Sequence, residues 1–158
     1  MPCEFTLSRR VEFAETDMAG IVHFANFFRM MENTEHAFFR SLGLSIQGRE
    51  GDAWTGWPRV SAACDYLKPL RFEEMVDVQL LVAEVRARSI RYVFRFWKTE
   101  DGQRVEIARG RLAAVFATMD KATGKFAAAS IPETIRAAVT AAPEEMLGDS
   151  SRTGSTKR

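Results

Sequence analysis

One stretch constrains this chain more than any other, the run from Val11 to Leu44, VEFAETDMAGIVHFANFFRMMENTEHAFFRSLGL. It opens as a strand, breaks at Glu15-Thr16-Asp17-Met18-Ala19-Gly20, and continues as a helix that is apolar nearly all the way round. Phe24, Phe27, Phe28, Met31, Phe38, Phe39 and Leu42 recur at steps of three and four residues, with Met30 and Ala37 widening the stripe. So broad an apolar surface calls for burial rather than a single solvated face. The spacing predicts a helix from about Phe24–Asn26 to Gly43, a residue suited to the position just past a helix end. Its expected cover is a sheet wrapped around it.

The remaining chain supplies that sheet. Phe5 to Phe13 alternates apolar and polar residues, and Val60 to Leu67, Met75 to Val85, Ser89 to Lys98 and Arg104 to Met119 read as further strands. Asp101-Gly102 is a hairpin turn signal, and Gly110 marks a bulge or a close approach. Ser45 to Pro58 carries three glycines and two tryptophans without a period, which predicts a loop with room for one helical turn. Trp54 and Trp57 there either cap the core or shape a pocket. Lys125 to Ala129 reads as a short edge strand, and Pro132 opens a short helix reaching about Ala141. The polar stretch 143–158 predicts disorder, which leaves one domain over residues 1–142. The order β-α-β-β-β-β with late antiparallel turns gives an α+β class, one sheet curled around the central helix.

Composition narrows the function by exclusion. The formal charge of +1 makes no electrostatic case for nucleic acid or an anionic membrane as the main partner. Residues 1–10 lack an apolar signal core, no apolar run reaches spanning length, and Cys3 and Cys64 form no CxxC pattern. A cytoplasmic address with reduced thiols is the expectation. P-loop, GxGxxG and GxSxG motifs are absent. His23 and His36 are the only histidines and stand thirteen residues apart, so a multi-histidine metal site cannot be built. No metal and no cofactor are expected, and any enzymatic work falls to a carboxylate.

Asp17 is the carboxylate best placed for it. A group just ahead of a buried helix meets unpaired backbone N–H groups and the positive end of the dipole. The same N–H groups can polarise a carbonyl while the carboxylate attacks its carbon or directs a water at it. Capping of the turn by the Asp17 side chain is the structural alternative.

The segment V-E-F-A-E-T-D-M-A-G-I-V-H-F-A-N-F-F resembles the signature of hotdog-fold acyl-CoA thioesterases of the 4-hydroxybenzoyl-CoA thioesterase type. Asp17, Gly20, Ile21, Val22, Ala25 and Asn26 carry the match. It extends through Leu42-Gly43, Tyr66-Leu67-Lys68-Pro69, Arg88-Ser89 and Ile131-Pro132. The resemblance implies a hotdog fold, an antiparallel sheet around a long helix. It also implies self-association as a dimer or tetramer with active sites at the dimer interface. The residue matching Asp17 would act as nucleophile or general base on the thioester of an acyl-CoA, with backbone amides around Phe24 and Ala25 binding its oxygen. Coenzyme A enters only as part of the substrate. His23-Phe24 inverts the aromatic-His order of one short-chain branch and stands closer to aromatic-acyl enzymes, whose stretch often reads F-A-N.

Further substrate contacts are expected from His23, Asn26, Glu32, Arg86, Arg88 and Ser89. His23 would touch substrate or orient Asp17, or else simply pack at the helix start. Glu32 and Glu35 either offer a second active-site carboxylate, as in another hotdog thioesterase branch that carries one on the central helix, or form with Asn33 and Arg29 the helix's polar stripe, facing water or a partner copy; Glu32 is the better candidate for a pocket. Arg86, Arg88 and Arg91, with Ser89, could hold the phosphates of coenzyme A or form a solvated strand end. Cys64 reads as a small core residue. The rivals are an acyl-CoA-binding protein without turnover and a hydroxyacyl-thioester dehydratase.

Overall fold

The computed structural model describes residues 2–148. Its elements run β1 (Glu4–Arg10), a 3-10 turn (Phe13–Glu15), α1 (Phe24–Ser41), β2 (Gly48–Glu50), β3 (Ala53–Gly56), β4 (Arg59–Tyr66) and β5 (Met75–Val85). β6 (Ser89–Glu100), β7 (Gln103–Val115), β8 (Ala117–Met119), β9 (Phe126–Ala128), α2 (Glu133–Arg136) and α3 (Glu144–Leu147) follow. Five strands form an antiparallel sheet in the order β1-β5-β6-β7-β4, and β2-β3-β8-β9 form a second sheet.

The alternating strands place one residue in two on the helix side. Val76, Val78, Leu80 and Val82 of β5, Ile90, Tyr92, Phe94 and Phe96 of β6, and Ala108, Leu112 and Ala114 of β7 join one core. Phe27, Met30, Met31, Phe38 and Phe39 of α1 complete it. Each such Phe or Met contributes about 1.5–3 kcal/mol relative to exposure. Gly110 lets the helix approach: a Cβ there would lie 2.1 Å from Met31 Sδ. The ladder is continuous through Gly110, so the close approach, not a bulge, explains it.

Both ends of α1 follow their local chemistry. The His23 ring caps the start, Nδ1 accepting from the Ala25 amide at 3.3 Å. At the other end Gly43, at φ 71°, donates to the Arg40 carbonyl, and Leu44 donates to Phe39 at 2.9 Å. Those two bonds satisfy carbonyls that the helix leaves open. Asp101 and Gly102 turn between β6 and β7 at φ 50° and 75°.

Four expectations are corrected. Ser45–Pro58 is not a loop: it holds β2 and β3, and β3 exists because Trp54 to Gly56 pair with β8. Arg104–Met119 is not one strand. It breaks at buried Phe116, whose amide bonds the Arg88 carbonyl and whose ring lies 5.2 Å from Trp57, so the chain passes from the first sheet into the second. The helix opened by Pro132 is only Glu133–Arg136. Residues 143–148, expected to be disordered, form α3 and bury Leu147 beside Leu81, Val93 and Ala142 on the outer sheet face. The rest of that expectation, 149–158, lies outside the described residues.

Candidate active site

The break between the first strand and α1 folds into a tight turn. Asp17 N–H donates to the Ile21 carbonyl at 2.9 Å, Gly20 N–H donates back to Asp17 at 3.0 Å, and Thr16 bridges to Val22. Gly20, at φ 74°, supplies the left-handed residue the turn requires. Asp17 Oδ1 accepts from the Ala19 amide at 2.8 Å, as the capping alternative expected. Its Oδ2 accepts nothing among the described residues, and the side chain stands exposed.

Glu15 ties this turn to the helix. Its carboxylate bonds Arg9 at 2.8 Å and the Glu12 amide at 2.8 Å, and its carbonyl accepts from His23 N–H at 2.9 Å and from Asn26 Nδ2 at 2.8 Å. Asn26 therefore fixes the first turn of α1 to the end of the 3-10 turn; its side-chain amide is committed to backbone. The Ala25 N–H is likewise engaged by His23. The Phe24 N–H has no partner among the described residues and remains open at the positive end of the dipole. The expected pair of amides thus reduces to one free donor, and His23 serves as the helix cap.

Asp17 and Phe24 face a cleft of about 450 Å³ walled by Ile21, Val22, Phe27 and the segment Tyr66–Leu70. Tyr66 Oη donates to the Phe24 carbonyl at 3.1 Å, joining the end of β4 to the helix start. Desolvation, with Cys64 beside it, pushes the Tyr66 hydroxyl up to about 12, so it stays a donor. Burial pushes the Cys64 thiol up to about 11, which keeps it from acting as a nucleophile at neutral pH.

Glu32 is not in this cleft. It lines a second cavity of about 550 Å³ with His36, Trp54, Trp57, Arg59 and Phe126. Both tryptophans thus line a cavity, and Trp57 is also a core residue, 5.8 Å from Phe39, so it fills both of the offered roles. Glu35 corrects the polar-stripe expectation. It is fully buried and held by both terminal nitrogens of the Arg59 guanidinium, which Glu32 also approaches at 3.9 Å. Burial raises the Glu35 pKa against the opposing pull of Arg59. The Tyr92 hydroxyl lies near enough to feel the Glu35 charge but makes no hydrogen bond of ordinary geometry.

Arg86, Arg88 and Ser89 are also apart from Asp17 within one chain. Ser89 and Ile90 sit across β7 from Val115 and Ala114, whose row reaches Arg59 at the start of β4, whereas the cleft lies at Tyr66. Seven residues of strand separate those rows, about 23 Å. Glu84 neutralises Arg86 at 2.8 Å and meets Arg91 at 3.4 Å. The Arg88 side chain, exposed, has no partner among the described residues. Among the described residues no three His, Cys, Asp or Glu side chains gather as a metal site, and no helix is long and apolar enough to cross a membrane.

Sequence reasoning had no signal for the Glu35–Arg59 pair, since the partners are 24 residues apart on different elements. Tyr66 stood within a matched motif without an assigned role, and its hydroxyl contact depends on the end of β4 meeting α1.

The chain resembles known proteins across most of its length. It is 36% identical over 92 residues to a protein of Aquifex aeolicus (strain VF5) whose esterase name is provisional, covering 58% of this chain and 68% of that one. It is 28% identical over 97 residues to the 1,4-dihydroxy-2-naphthoyl-CoA hydrolase of Prochlorococcus marinus (strain MIT 9211), covering 57% and 64%. The matched stretches thus span about two thirds of those relatives. The structure of 4-hydroxybenzoyl CoA thioesterase from Pseudomonas sp. strain CBS-3 superposes with a TM-score of 0.72 at 21% identity, over 85% of this chain and 99% of the other, which shows the fold. Residues 11–139 match the family model described as the thioesterase-like superfamily, and the chain belongs to that superfamily as a hotdog-fold thioesterase.

Proposed function

We propose that the protein hydrolyses an aromatic acyl-CoA, with Asp17 as the nucleophile or general base. The observation that carries this is that Asp17, with its exposed carboxylate, and Phe24, whose N–H has no partner among the described residues, line the same cleft. The thioester oxygen would accept from the Phe24 N–H at the positive helix end. Asp17 would then either attack the carbonyl carbon or take a proton from the water that does. The C–S bond breaks, the sulfur leaves as the thiol of coenzyme A, and water supplies the hydroxyl of the acid. No cofactor beyond water enters.

An aryl group suits Phe24 and Phe27 in the cleft, and relatives are named for naphthoyl and hydroxybenzoyl esters. The working form would be a dimer made through β4. This strand closes one edge of its sheet, and its sequence RVSAACDY holds neither Lys nor Pro to block a neighbour. Antiparallel self-pairing brings the Tyr66 end of one copy to the Arg59 end of the other. The Asp17 cleft would then face the Glu32–Trp54 cavity and the Arg88 corner of a second copy. That arrangement gathers the expected substrate contacts that one chain leaves scattered, with Arg88 as the available phosphate ligand.

Thiol release from short aliphatic, benzoyl and naphthoyl CoA esters, measured for wild type and Asp17→Asn, tests the reading. Expected is release of an aryl ester by wild type and a loss of about 10²-fold or more in the folded variant. Binding of CoA esters with no release from any of them would instead support a binding protein in which Asp17 only caps its turn, the role its Ala19 contact already allows.

A further inference from the structure

Lysine is rarely buried without partners, yet Lys98 near the end of β6 is only 8% exposed. Its Nζ donates to the Pro69 carbonyl at 3.2 Å and to the two carboxylate oxygens of Glu74 at 3.1 and 3.4 Å. A second carboxylate, Glu100, stands 3.6 Å away and also takes Lys68 at 3.0 Å.

Both hydrogen-bond partners lie in one loop, and Glu74 organises that loop. Its Oε2 accepts from the Arg71 amide at 2.7 Å, its own N–H donates to the Arg71 carbonyl at 3.2 Å, and its carbonyl accepts from Val11 N–H at 3.0 Å. Glu73 beside it adopts φ 66°, a left-handed conformation that surrounding contacts must hold in place. The same loop walls the Asp17 cleft through Leu67, Lys68, Pro69 and Leu70. Its Leu70 carbonyl accepts from Val22 N–H at 2.7 Å, and Val22 bridges to Thr16, which closes the Asp17 turn. A short path of backbone and hydrogen bonds therefore links the Lys98 ammonium to the turn that carries Asp17, although Lys98 does not line the cleft.

We propose that Lys98 is a positioning residue for the hydrolase: its ammonium pins the loop between Leu67 and Glu74, and the loop in turn holds the Asp17 turn against the start of α1. The inference rests on the hydrolase reading above. A misplacement of about 1 Å at reacting groups can cost about 10²-fold in rate, so a loosened loop registers in turnover before it unfolds the protein.

Lys98→Met keeps the length of the side chain and removes the charge, and Glu74, a third exposed, can turn to water. Lys98→Arg restores the charge. The measurements are kcat and KM on the ester that wild type cleaves, the thermal midpoint, and hydrogen exchange at the Val22 amide. Expected for Lys98→Met is a kcat lower by about 10- to 100-fold with a smaller change in KM. Val22 exchange should be faster well below the melting temperature, and Lys98→Arg should recover most of the turnover. Lys98→Met with a lower thermal midpoint but wild-type kcat and Val22 exchange overturns the proposal and leaves Lys98 a packing residue. If Lys98→Met does not fold, Glu74→Gln loosens the same grip from the solvent side: an intermediate loss of kcat supports the inference, and unchanged kcat overturns it. If wild type releases no thiol from any ester, the hydrolase reading fails on its own, and Val22 exchange alone decides whether Lys98 holds the turn.

Discussion

Glu35 and His36 are consecutive residues of α1 whose surroundings move their proton affinities in opposite directions. Burial raises the Glu35 pKa, with Arg59 opposing. Burial lowers that of His36 from 6.5, with Arg59 and Arg40 adding to the effect and Glu32 opposing it. Folded His36 therefore binds a proton less readily than unfolded His36. Its contribution is intact above 6.5 and is lost as pH falls through the lower folded value. Glu35 acts with the reverse sign: it holds its proton more readily when folded, so its contribution fades as pH rises from 4.5. Comparing wild type with His36→Gln cancels the Glu35 share. The expected outcome is a thermal midpoint that drops for wild type relative to His36→Gln between about pH 7 and about pH 5, with parallel behaviour above pH 7. Thermal unfolding monitored across that range checks it, and curves that stay parallel throughout would show His36 to titrate as it does in the unfolded chain.

At the scale of elements, the contact between α1 and the sheet depends on Gly110. A Cβ at this position would meet Met31 Sδ at 2.1 Å, and Met31 is wholly buried with no solvent to retreat into. Gly110→Ala should cost about 1–3 kcal/mol in urea unfolding, and Met31→Ala in the same chain should show a favourable coupling, each change partly relieving the other. The helix that makes this contact was legible in the sequence because its seam repeats within a single element: Phe27, Met31 and Phe38 lie at helical spacing, and Gly43 ends the run by local chemistry. Asp17 was legible for a related reason, since a turn carboxylate ahead of a helix is a local feature. What could not be read depended on distant partners. β3 is a strand because β8 pairs with it some 64 residues later, and Ala53–Gly56 alone has no period. Glu35 can be buried because Arg59 reaches it from the start of β4. Leu147 looked like part of a polar tail because Leu81 and Val93, which it covers, lie on the outer sheet face.

For the whole molecule, the decisive fact is that the two cavities stand at opposite ends of one edge strand. β4 carries Tyr66 at the Asp17 cleft and Arg59 at the Glu32 cavity, and among the described residues its outer edge has no strand neighbour. Val60 is 63% exposed and Leu67, just past the strand, 52%, an apolar margin beside open backbone donors and acceptors. A two-fold pairing of this edge satisfies those groups and joins unlike ends, so one association completes two equivalent sites. Ala62, exposed near the middle of the strand, is where the two copies would cross. Ala62→Glu sets two carboxylates close together at that crossing, and like charges directly opposed across strands are destabilising. The expected outcome is a wild type that sediments as a dimer or a larger even assembly, and an Ala62→Glu variant that is monomeric with unchanged far-ultraviolet circular dichroism. Thiol release should fall with dimer content, and raising the variant's concentration until it reassociates should recover it. A monomeric Ala62→Glu that hydrolyses as fast as wild type would confine the chemistry to Asp17 and Phe24 of a single chain, and the Glu32 cavity would then have no part in the reaction.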